Sequence, residues 1–250
     1  VIAQALSAVC ITVYFFVKEK LLCPGKRHMC FHKNLLKKIV SNSVLTSVQQ
    51  SIMNLGILMV QGLVNSFGFA VSAAFAAVVK IDAFAYMPAQ DFGNAFATFI
   101  AQNHGAGQKE RIHKGIFTAV KISCIFCLAA SACVYLFAKP LMLLFVNVGE
   151  TEIINIGIGY LRIEGVFYVG IGILFLLYGL FRGLGKSSVS IVLTVISLGS
   201  RVALAYILSA IPTVGIVGIW WSVPIGWALA DVVGFLIYLR QIRVRKNPLV

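Results

Sequence analysis

Seven ionisable residues stand inside runs that are otherwise apolar: Lys80, Asp82, Asp91, Arg162, Glu164, Arg201 and Asp231. A carboxyl group in such a place can take up and release a proton or hold a cation. A charge at the centre of a membrane helix costs about 2.5–3.5 kcal/mol on insertion scales, so these side chains should face the interior of a bundle or a water-filled path. Asp82, Lys80, Glu164, Arg162 and Arg201 lie at similar depth, roughly 14–18 Å from one end of their helices at ~1.5 Å per residue. Charges of both signs on three helices therefore share one level. Asp91 and Asp231 are expected deeper, toward the opposite end.

Helical spacing sorts the polar residues into stripes. Lys80, Asp91, Asn94, Thr98 and Gln102 fall near one stripe, and Asp82, Tyr86 and Gln90 form a second at i, i+4, i+8. Tyr160, Glu164 and Tyr168 stack at i+4 spacing. Ser187, Ser190, Thr194, Ser197 and Arg201 form another line. Polar stripes in membrane helices line either a path or a helix–helix contact. For Glu164 and Arg201, equal depth on consecutive helices suggests an ion pair that locks the helices together. Asp82, Glu164, Lys80, Arg201, Asp91, Gln102 and Tyr86 are the candidate substrate or ion pathway.

The elements that must carry these residues are membrane helices. Of 250 residues, 60% are hydrophobic, more apolar surface than a soluble domain of this length could hide. A bilayer leaves helices and closed barrels as the only spanning structures, and the alternation of a barrel strand is absent. Seven apolar segments follow: 1–17, 42–64, 70–102, 113–137, 153–181, 187–209 and 215–239. The third is too long to stand upright in a bilayer, and Pro88 is a plausible kink. The fold expected is an all-α integral membrane bundle.

Basic residues mark alternate connections. Lys18, Lys20, Lys26, Arg27, Lys33, Lys37 and Lys38 fall in the first loop. Lys109, Arg111, Lys114 and Lys121 follow two spans later, then Arg182 and Lys186, then Arg240, Arg243, Arg245 and Lys246. The opposite side carries Lys139 with Glu150 and Glu152. This bias makes the basic side cytoplasmic and explains the net charge of +13 without nucleic acid. The lipid bilayer is the first partner.

Other chemistry is missing. Cys23, His28, Cys30 and His32 match no usual zinc spacing, so no metal site is expected. The remaining cysteines, Cys10, Cys124, Cys127 and Cys133, act as small hydrophobes in apolar runs. No nucleophile–base arrangement, phosphate loop, haem motif or cleavable signal peptide is visible. Gly105–Gly107 lacks the Lys-Ser/Thr ending of a P-loop and reads as a helix end and turn. No enzyme is expected, and no cofactor.

The stretch MPAQDFGNAFATFIAQNHGAGQKER resembles the multidrug and toxic compound extrusion (MATE) family, whose helix with a proline and small residues runs into a Gly-Ala-Gly turn and a basic residue. VNSFGFAVSAAFAAVVKID is similar to that family's connection between paired helices, and YGLFRGLGKSS to its RG-x-G turn. The resemblance covers essentially the whole chain. It implies the six-helix C-terminal lobe of a twelve-helix antiporter, preceded by the end of helix six. Residues 1–17 would be that helix end, 18–41 the basic inter-lobe loop, 42–239 the lobe and 240–250 a basic cytoplasmic tail. The start inside an apolar run, without Met, implies a missing N-terminal lobe.

The family implies export of amphipathic or cationic drugs in exchange for H⁺ or Na⁺ across the plasma membrane of a bacterium, by rocking of two lobes about a central cavity. Several members carry coupling carboxylates on helices seven and ten. Here SVQQSIMNLGILMVQG has no acid, and GIGILFLLYG has none. The family's Na⁺-type site is therefore not carried over. Asp82 and Glu164 are the candidates, with Asp82 expected to face the inter-lobe cavity as a protonatable group. Two other readings stay open: a lipid-linked glycan flippase of the same superfamily, favoured by Lys80, Arg162 and Arg201, and a non-transporting accessory membrane subunit.

Overall fold

A computed structural model describes residues 2–18 and 32–246. Among these, the elements are α1 (Ile2–Lys18), α2 (Lys33–Asn65), α3 (Phe69–Gly105), α4 (Lys109–Leu136), α5 (Ala138–Leu143), α6 (Thr151–Gly165), α7 (Tyr168–Gly183), α8 (Ser187–Ser209) and α9 (Ile216–Lys246). No strand occurs among the described residues.

By packing, the chain divides into two units, Val1–Ser43 and Val44–Val250. In the first unit, α1 is an apolar helix of 17 residues. α2 starts within the first unit and runs on into the second; it and α3, α4, α8 and α9 are each long and apolar enough to cross a membrane, and α6 with α7 passes the same test as a bent pair, a broken span or a re-entrant loop. The helices overrun the segments read from hydropathy. α2 begins at Lys33, nine residues before the apolar run at Asn42, and α9 continues to Lys246. Helix propensity of Lys, Leu and Arg carries both past the apolar limit.

The expected single segment 153–181 is broken. α6 stops at Gly165, α7 starts at Tyr168, and their axes bend by 52°. Gly165 has low helix propensity, and the amide of Phe167 turns back onto the carbonyl of Glu164 at 2.9 Å. The short helix α5, with sequence AKPLML, was also not legible as an element.

α3 runs unbroken through Pro88 for 37 residues, about 55 Å at ~1.5 Å per residue, and so must tilt or project. It packs most extensively on α7. Contact is close because glycines meet backbone: a Cβ on Gly179 would stand 2.4 Å from the Gly93 carbonyl oxygen, and one on Gly183 would stand 2.6 Å from that of Ala97. Gly179 and Gly183 are four residues apart, the small-residue spacing that lets membrane helices approach. Around this seam the core is built from Phe75, Val78, Ile81, Leu174, Phe175 and Phe181. α8 packs on α9 in the same manner, with Gly226 against the Ser197 carbonyl.

The turns behave as their glycines predict. Gly107 closes the Gly-Ala-Gly turn at φ +68°, and Gly185 closes the RG-x-G turn at φ +73°, both in the left-handed region that favours glycine.

Candidate functional site

The break between α6 and α7 sets the site. Glu164 ends α6 and Tyr168 begins α7, so both face Asp82 on α3. Tyr168 donates its hydroxyl to Asp82 Oδ1. Glu164, only 5% exposed, receives no donor at its Oε2 among the described residues, and the Asp82 carboxyl lies within hydrogen-bonding reach of Glu164. A hydrogen bond between two carboxyl groups needs a hydrogen on one of them.

Tyr160 completes the enclosure. Its hydroxyl is within reach of Glu164, one helical turn away. Its ring is fixed edge-on to Trp220 at 4.4 Å and to Phe75 at 5.8 Å, while Phe75 and Trp220 stack at 6.0 Å. The three rings form one buried aromatic cluster around Tyr160.

Arg201 on α8 stands close enough to act on both acids electrostatically. The expected Glu164–Arg201 ion pair is not formed: among the described residues no nitrogen–oxygen contact within 4.0 Å joins them, and Arg201 Nε has no hydrogen-bond partner. Position along a helix says nothing of the direction in which a side chain leaves it.

Tyr86 joins this region. It lies edge-on to Phe175 at 5.0 Å, accepts a 3.5 Å hydrogen bond from Gln90, and shares with Arg201 the wall of a cavity of about 50 Å³. A larger cavity of about 290 Å³ adjoins it, with Met53, Phe175 and Tyr178 common to both walls. The other candidates do not converge. Lys80 is exposed, its ammonium 5.8 Å over the Phe145 ring; Asp91 and Gln102 are exposed on α3. Arg162, also exposed, lies 5.5 Å over Tyr135. Asp231 is partly buried on α9, with Oδ1 lacking a hydrogen-bond partner among the described residues.

The serine–threonine line of α8 is a packing stripe. Ser190, Thr194 and Ser197 are buried, Thr194 and Ser190 bond to helix carbonyls, and Thr194 Oγ1 accepts from Gln49 on α2 at 2.9 Å. Of the loop residues weighed as metal ligands, Cys23, His28 and Cys30 lie outside the described residues. Among the described residues no three His, Cys, Asp or Glu side chains gather as metal ligands.

Among the described residues, five helices long and apolar enough to cross a membrane, with the bent α6–α7 pair beside the buried Glu164 carboxyl, fit a multi-pass membrane protein. The profile of the MatE family matches residues 44–207, and the chain belongs to that family. It is 28% identical over 159 residues to "Probable multidrug resistance protein YpnP" of Bacillus subtilis (strain 168), covering 64% of this chain and 35% of that protein. It is 25% identical over 206 residues to "Probable multidrug resistance protein YoeA" of the same organism, covering 82% of this chain and 44% of that one. The chain thus spans under half the length of these relatives. A solved transporter of the MOP superfamily from Pyrococcus furiosus superposes with a TM-score of 0.89 at 24% identity, over 98% of this chain and 55% of that one. This last likeness speaks to the fold.

Proposed function

We propose that the protein exports amphipathic or cationic small molecules across a bacterial plasma membrane in exchange for protons, with Asp82 and Glu164 as the coupling pair. The observation that carries this reading is the Tyr168–Asp82 hydrogen bond with the buried Glu164 carboxyl as its electrostatic neighbour. With a shared proton, the two acids and Arg201 sum to zero charge. Loss of that proton leaves a net charge of −1, which attracts an organic cation. Proton and cation then compete for one site, the minimum that exchange requires. Inward movement of the proton follows from access alternating between the two sides, as lobes rock about the bundle. The MatE membership and the multidrug-resistance relatives support export. The basic loops support a cytoplasmic placement of the α3–α4 and α7–α8 turns.

The same carboxyl oxygens could hold Na⁺, and the experiment separates the two ions. Everted vesicles carrying the full-length protein are energised with either a proton or a sodium gradient, and efflux of a fluorescent organic cation is followed. The expected result is proton-driven transport in the wild type and its loss in Asp82→Asn at equal expression. Transport and coupling unchanged in Asp82→Asn would remove Asp82 from the mechanism. Sodium-driven transport lost in the variant would reassign the ion.

A further inference from the structure

The larger cavity lies apart from the carboxyl pair, between α2, α3 and α7, toward the end of the bundle that carries the Gly107 and Gly185 turns. Its polar wall comprises Thr46, Gln49, Gln50, Gln90, Asn94, Tyr178 and Arg182, and no acid lines it. Arg182 is its only charge. Among the described residues no carboxylate lies within 4.0 Å of that guanidinium. Arg182 Nε donates to the Tyr178 carbonyl at 3.3 Å, and Nη2 donates to Asn94 Oδ1 at 2.8 Å. Two of five donors are thus engaged, and both bonds fix the plane of the fork.

The amides divide the cavity into two poles. Asn94 gives its carbonyl oxygen to Arg182, so the end it has to offer is an NH₂ donor. Gln49 donates its NH₂ to Thr194 and Gln90 donates its own to Tyr86, so each of these offers a carbonyl acceptor. Arg182 and Asn94 form a cationic donor pole, and Gln49 and Gln90 an acceptor pole. Met53 and Phe175 give the wall between them an apolar surface.

We infer that this cavity binds a small organic monoanion, a carboxylate held by Arg182 and Asn94, with a hydrogen-bond donor at its other end facing Gln49 and Gln90. A guanidinium matches a carboxylate as a planar fork, and a single guanidinium balances a single charge. A cavity of about 290 Å³ suits a one-ring acid. The site extends the ligands of this bundle beyond cations. It does not depend on the carboxyl pair being the coupling site.

The test uses the full-length protein, purified in a neutral detergent, and three probes of one shape: para-hydroxybenzoate, para-hydroxybenzamide and para-hydroxybenzylammonium. Binding is measured by titration calorimetry. The acid should bind at least about tenfold more tightly than the amide, and the ammonium more weakly still. Arg182→Gln should abolish the preference for the acid, Arg182→Lys should keep part of it, and Asn94→Leu should weaken the acid more than the amide. Lys139→Gln, which removes an exposed cation outside both sites, should leave acid binding unchanged, which separates this site from a general effect of net charge. Equal binding of acid and amide by the wild type overturns the inference, and that comparison needs no variant to fold. Acid binding unaltered in a folded Arg182→Gln protein overturns it too.

Discussion

Asp82→Ala and Asp82→Asn should differ sharply in stability, because the two substitutions treat the partners of Asp82 differently. Alanine strips the acceptor from Tyr168, which is only 3% exposed, and the neighbour from Glu164, which is 5% exposed. Each buried group left without a partner costs about 1–3 kcal/mol, so the loss should be about 2–6 kcal/mol. Asparagine keeps an oxygen for Tyr168 and supplies a permanent hydrogen toward Glu164, so its loss should stay below about 1 kcal/mol. For a domain of this size a change of 1 kcal/mol moves the midpoint by roughly 2–4 °C, so alanine should lower Tm by roughly 5–20 °C and asparagine by a few degrees at most. Thermal unfolding of the full-length protein in detergent, followed by tryptophan emission, reads the difference. Tyr168→Phe combined with Asp82→Ala should be less destabilising than the sum of the two, since the second change removes a group the first has already stranded. Equal losses for Ala and Asn, or strict additivity in the Tyr168 cycle, would refute the arrangement of hydrogen bonds described above.

The glycine seam makes a second contrast. Gly179→Ala would press a methyl against the Gly93 backbone oxygen at 2.4 Å, which cannot step aside, and should cost about 1–3 kcal/mol or more; Gly157→Ala meets only the flexible end of Met142 at 2.3 Å and should be milder, both read from Tm. Gln49→Leu removes the amide that reaches Thr194 across α2 and α8, and should lower stability by about 1–3 kcal/mol without altering proton coupling in the vesicle assay.

Much of the fold was legible because two independent signals, apolar length and alternation of basic loops, have to agree in a membrane protein. The Gly-Ala-Gly and RG-x-G turns were legible because positive φ at Gly107 and Gly185 restricts the residue type. The level of Asp82 and Glu164 followed from counting residues along helices. Their partnership did not. Residue spacing gives height in the bilayer, but which side chains meet depends on how helices rotate, and on the bend after Gly165 that turns Tyr168 toward Asp82. Opposite charge favoured Arg201 as the partner of Glu164, yet no ion pair joins the two. The donor role of Tyr168 was hidden in an i+4 stack that reads equally well as packing. Arg182 was hidden differently: next to a turn it counts as a loop cation, and only the tertiary structure makes it part of the wall of a cavity lined by α2, α3 and α7.

The shared proton of Asp82 and Glu164 is the central claim, and proton release on ligand binding tests it most directly. Purified full-length protein in weakly buffered detergent solution, with a pH-indicating dye, is mixed with tetraphenylphosphonium as the probe cation. A stoichiometric burst of protons should accompany binding in the wild type, with competition between probe and proton as the pH falls. In Asp82→Asn the burst should vanish, and in Glu164→Gln likewise. Binding without proton release in the wild type, or an undiminished burst in both variants, would contradict the account.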